Sequence, residues 1–274
     1  MNTINPPIPV LMYHEISDDS FAKTGCHFQT PLYDISVSMF ENQIKVLADN
    51  NYTSLCFDDT LEISGNGKYI IITFDDGLKG NYQYALPILK KYGFRGVFFV
   101  AVDLIGTKRF MTWHELGDLK QQQMSIQSHT LSHRPLQTLN RKNIRRELKE
   151  SKKILESKLN SQISSISFPH GSYNKQIINM ALDEGYITLC CSFPNEIYLS
   201  DFKRNPRLIG RIPMTNKLTL EQFISILEYS KLAMLKLKIP KLAKNIIKKS
   251  IGINNYRIFY RKIFGIKNPH KLTD

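Results

Sequence analysis

Tyr69-Ile70-Ile71-Ile72-Thr73-Phe74-Asp75-Asp76-Gly77 runs from a continuous apolar segment straight into two adjacent carboxylates. A short apolar run bounded by a turn signal reads as a buried strand, and Asp-Gly is an ordinary way to close it. Burying an ionised Asp without a partner is strongly unfavourable. Two at one strand end therefore call for a metal ion, a shared proton or a solvent-facing cleft, unless they only form the turn.

Outward from this stretch, strand patterns recur at residues 9–13, 52–57, 69–74, 96–101, 124–128, 163–168, 186–191 and 208–212. Helical periodicity fills several gaps between them, at 37–49, 80–92, 140–159 and 176–184. Alternating strand and helix predicts a parallel sheet. The 274 residues, 42% hydrophobic, suffice for one full core. The expected fold is α/β, a single (β/α) barrel, distorted, with seven or eight strands, since such barrels occupy roughly 200 to 250 residues. In that scheme His14, Asp75, Asp76, His129, His133 and the loop 169–171 all follow the C-terminal ends of strands. Barrel active sites are built there.

Ser128-His129-Thr130-Leu131-Ser132-His133 places two imidazoles at i and i+4. Both rings can converge on one ion from a helical turn or a tight loop, and one Asp oxygen completes a three-ligand set with a position left open. Either histidine alone reads equally as a packed or surface residue. A glycosidase built on Asp75 and Asp76 is the poorer reading, because neighbours cannot easily flank a glycosidic bond from both sides at ~5 Å or more.

The order Thr73-Phe74-Asp75-Asp76-Gly77, His129-Thr130-Leu131-Ser132-His133 and Phe168-Pro169-His170-Gly171-Ser172-Tyr173-Asn174 resembles the NodB-homology polysaccharide deacetylases, carbohydrate esterase family 4. The linking segments Gly93-Phe94-Arg95-Gly96-Val97-Phe98-Phe99-Val100 and Met111-Thr112-Trp113-His114-Glu115-Leu116 are similar too. Val10-Leu11-Met12-Tyr13-His14 resembles the opening strand of the branch that includes poly-N-acetylglucosamine deacetylases. About residues 8–213 are covered. The resemblance implies a divalent metal, zinc, held by Asp76, His129 and His133, with Asp75 as general base. It further implies the backbone N–H of Tyr173 at the oxyanion, His14 as the acid that protonates the departing amine, and sugar contacts from Pro169, His170 and Gly171. A bound ion of this kind acidifies water and polarises an amide carbonyl, and a neighbouring carboxylate can take the released proton.

The chain departs from the family pattern in places. No Leu-x-Leu-His stands near its C-terminal end, which leaves His14 as the acid. Glu15 reads either as a partner of the site or as a solvated turn residue. Ser167 occupies the place where many relatives carry an Arg that orients the catalytic Asp, and His170 stands where Tyr or Phe is commoner. Arg211, in Gly210-Arg211-Ile212-Pro213, is expected to supply the missing guanidinium, because a fixed fork suits a carboxylate. Trp113, the only tryptophan, reads equally as a sugar platform or as packing.

Charge divides the chain at residue 230. Of the formal +13, residues 231–274 supply twelve Lys or Arg against one acidic residue, a net of +11. The expected organisation is a deacetylase-like barrel over 1–230 and a basic amphipathic tail over 231–274, divided into short helices by Pro240 and Gly252. Leu242, Ile246 and Ile247 alternate with Lys241, Lys244 and Lys248, and Tyr256, Phe259, Tyr260, Ile263 and Phe264 with Arg257, Arg261 and Lys262. The tail suits an anionic membrane surface, at about 1 kcal/mol per basic residue, or a terminal helical pair packed on the barrel. A nucleic-acid partner is not expected, since spaced aliphatics suit a membrane or protein surface better than a phosphate track.

Residues 1–9 lack a basic and then apolar leader, and no run approaches the ~20 residues of a bilayer span. Cys26, Cys56, Cys190 and Cys191 show no metal-binding spacing and read as reduced thiols. The expected location is cytoplasmic, peripheral on the inner membrane face. The expected substrate is an N-acetylated saccharide, polymeric or carried on a lipid or nucleotide. The competing expectation is a barrel that binds carbohydrate at a membrane without catalysis.

Overall fold

The computed structural model describes residues 6–20, 31–59, 67–204 and 207–252. Its centre is a ladder of parallel strands, β1 (Val10–Tyr13), β5 (Tyr69–Phe74), β6 (Val97–Val100), β7 (Ser125–Ser128), β8 (Ser165–Ser167), β9 (Thr188–Cys191) and β10 (Arg207–Gly210). After Arg211 the chain continues as β11 (Ile212–Pro213), which pairs with β1. One segment thus bonds β9 with its first half and β1 with its second. The result is a nearly closed seven-stave barrel, the lower of the expected counts.

The strand expected over 52–57 reduces to β4 (Thr53–Ser54), which pairs with the start of β5 outside the main ladder. A small parallel pair, β2 (Glu15–Ser17) and β3 (Asp34–Ser36), lies beside the site.

Alternation along the staves sorts the side chains. Ile70, Ile72, Phe74, Phe98 and Val100 face the helical layer, and Ile71, Val97, Phe99, Cys190 and Ile209 belong to a separate interior cluster. With a period of two, Thr73 and Asp75 share the inward face of Ile71.

Among the described residues seven α-helices cover the outside: α1 (Val37–Asp49), α2 (Leu86–Lys91), α3 (Trp113–Gln121), α4 (Arg141–Leu159), α5 (Lys175–Asp183), α6 (Leu220–Leu227) and α7 (Lys231–Ile251). Short polar side chains start most of them. The side chains of Ser36, Asn140 and Asn174 accept from the N–H of Met39, Asn143 and Ile177. Helices α3 and α6 were not expected. Each is announced by a reciprocal cap, Thr112 with Glu115 and Thr219 with Gln222.

Helix α7 corrects the expected division at Pro240, since it runs through that residue to Gly252. Proline removes one intrahelical bond, and the carbonyl it frees belongs to exposed Lys236, where water can satisfy it. Residues 253–274, with the expected aromatic half of the tail, lie outside the described residues. So do Cys26 and the side chains of residues 241, 244–249 and 251. Cys56, Cys190 and Cys191 are buried free thiols. No helix among the described residues is long and apolar enough to cross a membrane.

Candidate active site

Strand register assembles the site. Tyr13 pairs with Phe74 and Val100 with Ser128, so His14, Asp75 and His129 each emerge one residue past the end of a stave. The Asp75 N–H donates to Tyr13 O (2.9 Å) and the His129 N–H to Val100 O (2.8 Å), which extends the ladder to the rim.

Asp76 turns sharply at φ 75°, followed by Gly77 at φ 82°. A Cβ on Gly77 would lie 3.0 Å from Val100 Cγ1, so the turn that aims Asp76 needs glycine on two counts. Of the eight positive-φ non-glycine residues among the described residues, Asp76, Thr130, His133 and His170 belong to this rim. Such backbone costs on the order of 1–3 kcal/mol per residue and persists where its surroundings over-determine it.

Asp76 Oδ1 lies 3.2 Å from His129 Nε2 and 3.0 Å from His133 Nε2. One donor atom from each of the three residues lies within 4.8 Å of the other two. His129 Nδ1 is 2.8 Å from Ser167 O, a bond that leaves Nε2 free to face the cluster. Two imidazole nitrogens and a carboxylate oxygen in this arrangement fit a divalent ion. Burial raises the Asp76 pKa, but His133 and His129 outweigh it and hold the carboxyl well below its ordinary value.

Asp75, 3% exposed, is bound differently. Arg211 Nη1 and Nη2 meet its two oxygens at 2.6 and 2.7 Å, and Ser167 Oγ donates to Oδ2 at 3.1 Å. Arg211 Nη1 also donates to Thr73 Oγ1 (3.0 Å) and Nη2 to Ser167 Oγ (2.7 Å), and the guanidinium lies 5.2 Å from the Phe99 ring centre. Burial raises the Asp75 pKa, yet Arg211 and His129 prevail and keep it below the usual carboxylate value. The site therefore holds two ionised carboxylates with separate partners.

His14 stacks on Tyr33, ring centres 4.7 Å apart, and its Nδ1 is buried without a hydrogen-bond partner among the described residues. Burial lowers its pKa, opposed by Asp76 and Asp75. Its neighbour Glu15 is no solvated turn residue: it accepts from the Gly80 N–H and lies 3.7 Å from Arg109. A side chain at Gly80 would collide with the Ile16 carbonyl, so the close approach of β2 depends on glycine there.

The 169–171 turn carries His170, exposed, its ring 5.0 Å from that of His133. Tyr173 follows, its ring on Phe168 at 5.4 Å and its carbonyl accepting from Gln137 Nε2 at 2.8 Å. Trp113 opens α3, partly buried against the core, two residues after Met111, whose N–H donates to Gly77 O at 2.9 Å.

Sequence reasoning missed Glu147. From α4 its carboxylate accepts from the N–H groups of Leu131 (3.0 Å) and Ser132 (2.8 Å) and from the Ser132 hydroxyl, so it clamps the loop between the two histidines. The signal was available, because Glu147 shares the apolar face of Ile144, Leu148, Ser151 and Leu155.

Residues 62–189 match the family model described as polysaccharide deacetylase. The chain is similar to the Bacillus subtilis protein YxkH, 34% identical over 65% of this chain and 62% of the relative. It is similar also to the poly-beta-1,6-N-acetyl-D-glucosamine N-deacetylase of Staphylococcus aureus, 25% identical over 60% of this chain and 64% of the relative. The chain thus spans less than two thirds of the length of these curated relatives. Among solved structures, the Streptococcus pyogenes deacetylase PplD in complex with acetate is 26% identical, with a TM-score of 0.72, over 82% of this chain and 100% of that one.

Proposed function

We propose that the chain hydrolyses the N-acetyl amide of an amino sugar within an oligosaccharide or polysaccharide, a reading supported by the match of residues 62–189 to the polysaccharide deacetylase model. The observation that carries this reading is the division of the carboxylates. Asp76 converges with His129 and His133, whereas Asp75 is gripped by Arg211. A base must stand next to an ion without being consumed by it.

Asp76, His129 and His133 would hold the divalent ion, with zinc the proposed metal. Such an ion, when bound, supplies Lewis acidity and lowers the pKa of water. Asp75 accepts one proton from the attacking water, whose oxygen bonds to the acetyl carbon. The backbone N–H of Tyr173 is proposed to donate to the developing oxyanion. As the carbon–nitrogen bond breaks, His14 gives its proton to the leaving nitrogen, and the products are acetate and a free amine. The burial that lowers the His14 pKa makes its imidazolium a stronger acid. Arg211 does not react. It fixes Asp75 in position and keeps it ionised.

The acetyl group and amino sugar are supported by the names of the relatives: PplD is a deacetylase in complex with acetate, and the Staphylococcus aureus protein is named for poly-beta-1,6-N-acetyl-D-glucosamine. The test is to measure bound metal and acetate release from β-1,6-linked N-acetylglucosamine oligomers and from lipid-linked N-acetyl amino sugars, for the wild type, Asp75→Asn and His133→Ala. We expect metal in the wild type and Asp75→Asn, acetate from the wild type alone, and loss of metal in His133→Ala. Undiminished turnover by Asp75→Asn would remove Asp75 as base. A metal-loaded wild type that releases no acetate would favour a barrel that binds without catalysis.

A further inference from the structure

Helix α7 has two apolar faces, and the barrel covers one of them. Ala233, Met234 and Leu237 pack against the core. On the other side Leu232, Leu235, Ile239 and Leu242 are 63%, 52%, 54% and 48% exposed. Steps of three, four and three residues put these four on one continuous stripe. At 100° per residue, Lys231 and Lys238 flank the stripe on one side and Lys236 on the other. From residue 231 to 273 the sequence contains no Asp or Glu.

The spacing would also suit a helix of a second copy. Self-pairing, however, would set Lys231 and Lys236 against their own counterparts with no carboxylate on the helix to answer them, while Lys238 shares a cavity with Glu196 and Asp201 of the barrel. An apolar stripe edged by lysines instead fits a helix lying in the plane of an anionic lipid surface, where the aliphatics enter the acyl boundary and the lysines stay at the headgroups. We propose that α7 docks the protein on anionic phospholipid membranes through Leu232, Leu235, Ile239 and Leu242, with Lys231, Lys236 and Lys238 at the headgroup level.

The site of catalysis does not share this surface. Tyr229, just before α7, donates its hydroxyl to Ile8 O at 3.1 Å, and Ile8 precedes β1. The helix is therefore rooted at the N-terminal rim of the barrel, opposite the rim that carries Asp75 and His129. Docking leaves that rim unobstructed, and the proposal stands apart from the deacetylase reading.

The test is co-sedimentation of the full chain with phosphatidylcholine vesicles, with and without phosphatidylserine. We expect at least about tenfold tighter binding when phosphatidylserine is present, weakened by added salt. Leu235→Asp with Ile239→Asp should weaken binding by about tenfold or more while thermal unfolding and metal content stay unchanged, since both side chains are more than half exposed. Replacing Lys231, Lys236 and Lys238 by Gln should abolish the preference for phosphatidylserine. Equal binding to neutral vesicles, or binding unaffected by the aspartates, would overturn the proposal. So would a concentration-dependent dimer, lost in Leu235→Asp with Ile239→Asp, in a protein that binds no vesicles; that result would assign the stripe to a second copy.

Discussion

Arg211 holds Asp75 by both carboxylate oxygens, at 2.6 and 2.7 Å, from the point where the closing segment of the barrel changes partners. The Arg211 N–H donates to Cys191 O (3.1 Å), and the next residue, Ile212, pairs with Leu11. A guanidinium rooted at that seam reaches across the interior to β5, and Ser167 on β8 bonds to both members of the pair. Ser167 is small and leaves room for a guanidinium arriving from the other side, to which its hydroxyl bonds at 2.7 Å.

Replacing Arg211 separates its roles. Arg211→Met leaves a buried carboxylate without its cation, which costs about 3–5 kcal/mol of stability and is readable by urea unfolding. Arg211→Lys keeps the charge but loses the fork, and kcat is expected to fall by on the order of a hundredfold with metal content unchanged. The pH profile distinguishes positioning from mere structure. In the wild type burial raises the Asp75 pKa, but Arg211 together with His129 holds it below its ordinary value, so these contacts stabilise the fold above the unfolded carboxylate pKa and lose that contribution as pH falls through the lower folded one. Without Arg211 burial dominates and raises the pKa, and the acid limb of the rate must move to higher pH. An acid limb in the same place would show that Arg211 does not set the state of Asp75.

Glu147 predicts a second phenotype, in metal affinity. Its carboxylate receives two backbone N–H groups and a hydroxyl from the loop whose Thr130 and His133 adopt left-handed backbone. Glu147→Ala should cost about 2–4 kcal/mol of stability and weaken zinc binding by roughly 10 to 100-fold, as loss of a group that orients metal ligands does. Glu147→Gln keeps one acceptor and should fall between the two. Titration of the apo-proteins with zinc is the readout, and wild-type affinity in Glu147→Ala would mean that the loop holds itself.

What the sequence disclosed follows from the range of each interaction. The β5 stretch was legible because apolar continuity and the Asp-Gly turn are local, and so was the pair His129 and His133. Helices α3 and α6 announce themselves only through their capping boxes, Thr112 with Glu115 and Thr219 with Gln222, which are easily passed over beside stronger periodic segments. The Glu147 clamp joins residues fifteen and sixteen positions apart through side chain and backbone, and a lone carboxylate on an apolar helix face does not name its partner. Pro240 misled because its helix-breaking tendency is a local preference, whereas packing of Met234 and Leu237 on the barrel is tertiary. The closure of the barrel through Arg211 could be anticipated as chemistry, from the need of Asp75 for a cation, but not as topology.

Glu15 gives the pH-dependent prediction. Burial, opposed by Arg109 and reinforced by Asp34 and Asp76, raises its pKa to about 8. Between its ordinary value near 4.5 and about 8, the folded protein keeps a proton that the unfolded chain has released. Stability from this residue therefore declines as pH rises across that window and is lowest above it. Glu15→Gln retains an oxygen for the Gly80 N–H and removes the titration. One pKa unit corresponds to about 1.4 kcal/mol, and with Arg109 losing its partner the variant should gain on the order of 1–3 kcal/mol at about pH 9. At about pH 4, below both the ordinary and the folded value, the two proteins should agree to within roughly 0.5 kcal/mol, because a protonated glutamate and a glutamine are nearly the same shape and charge. Denaturant unfolding at the two pH values decides it: an equal offset at both would place the effect in packing, and a variant less stable at the higher pH would make the Glu15–Arg109 pair a net stabilising contact.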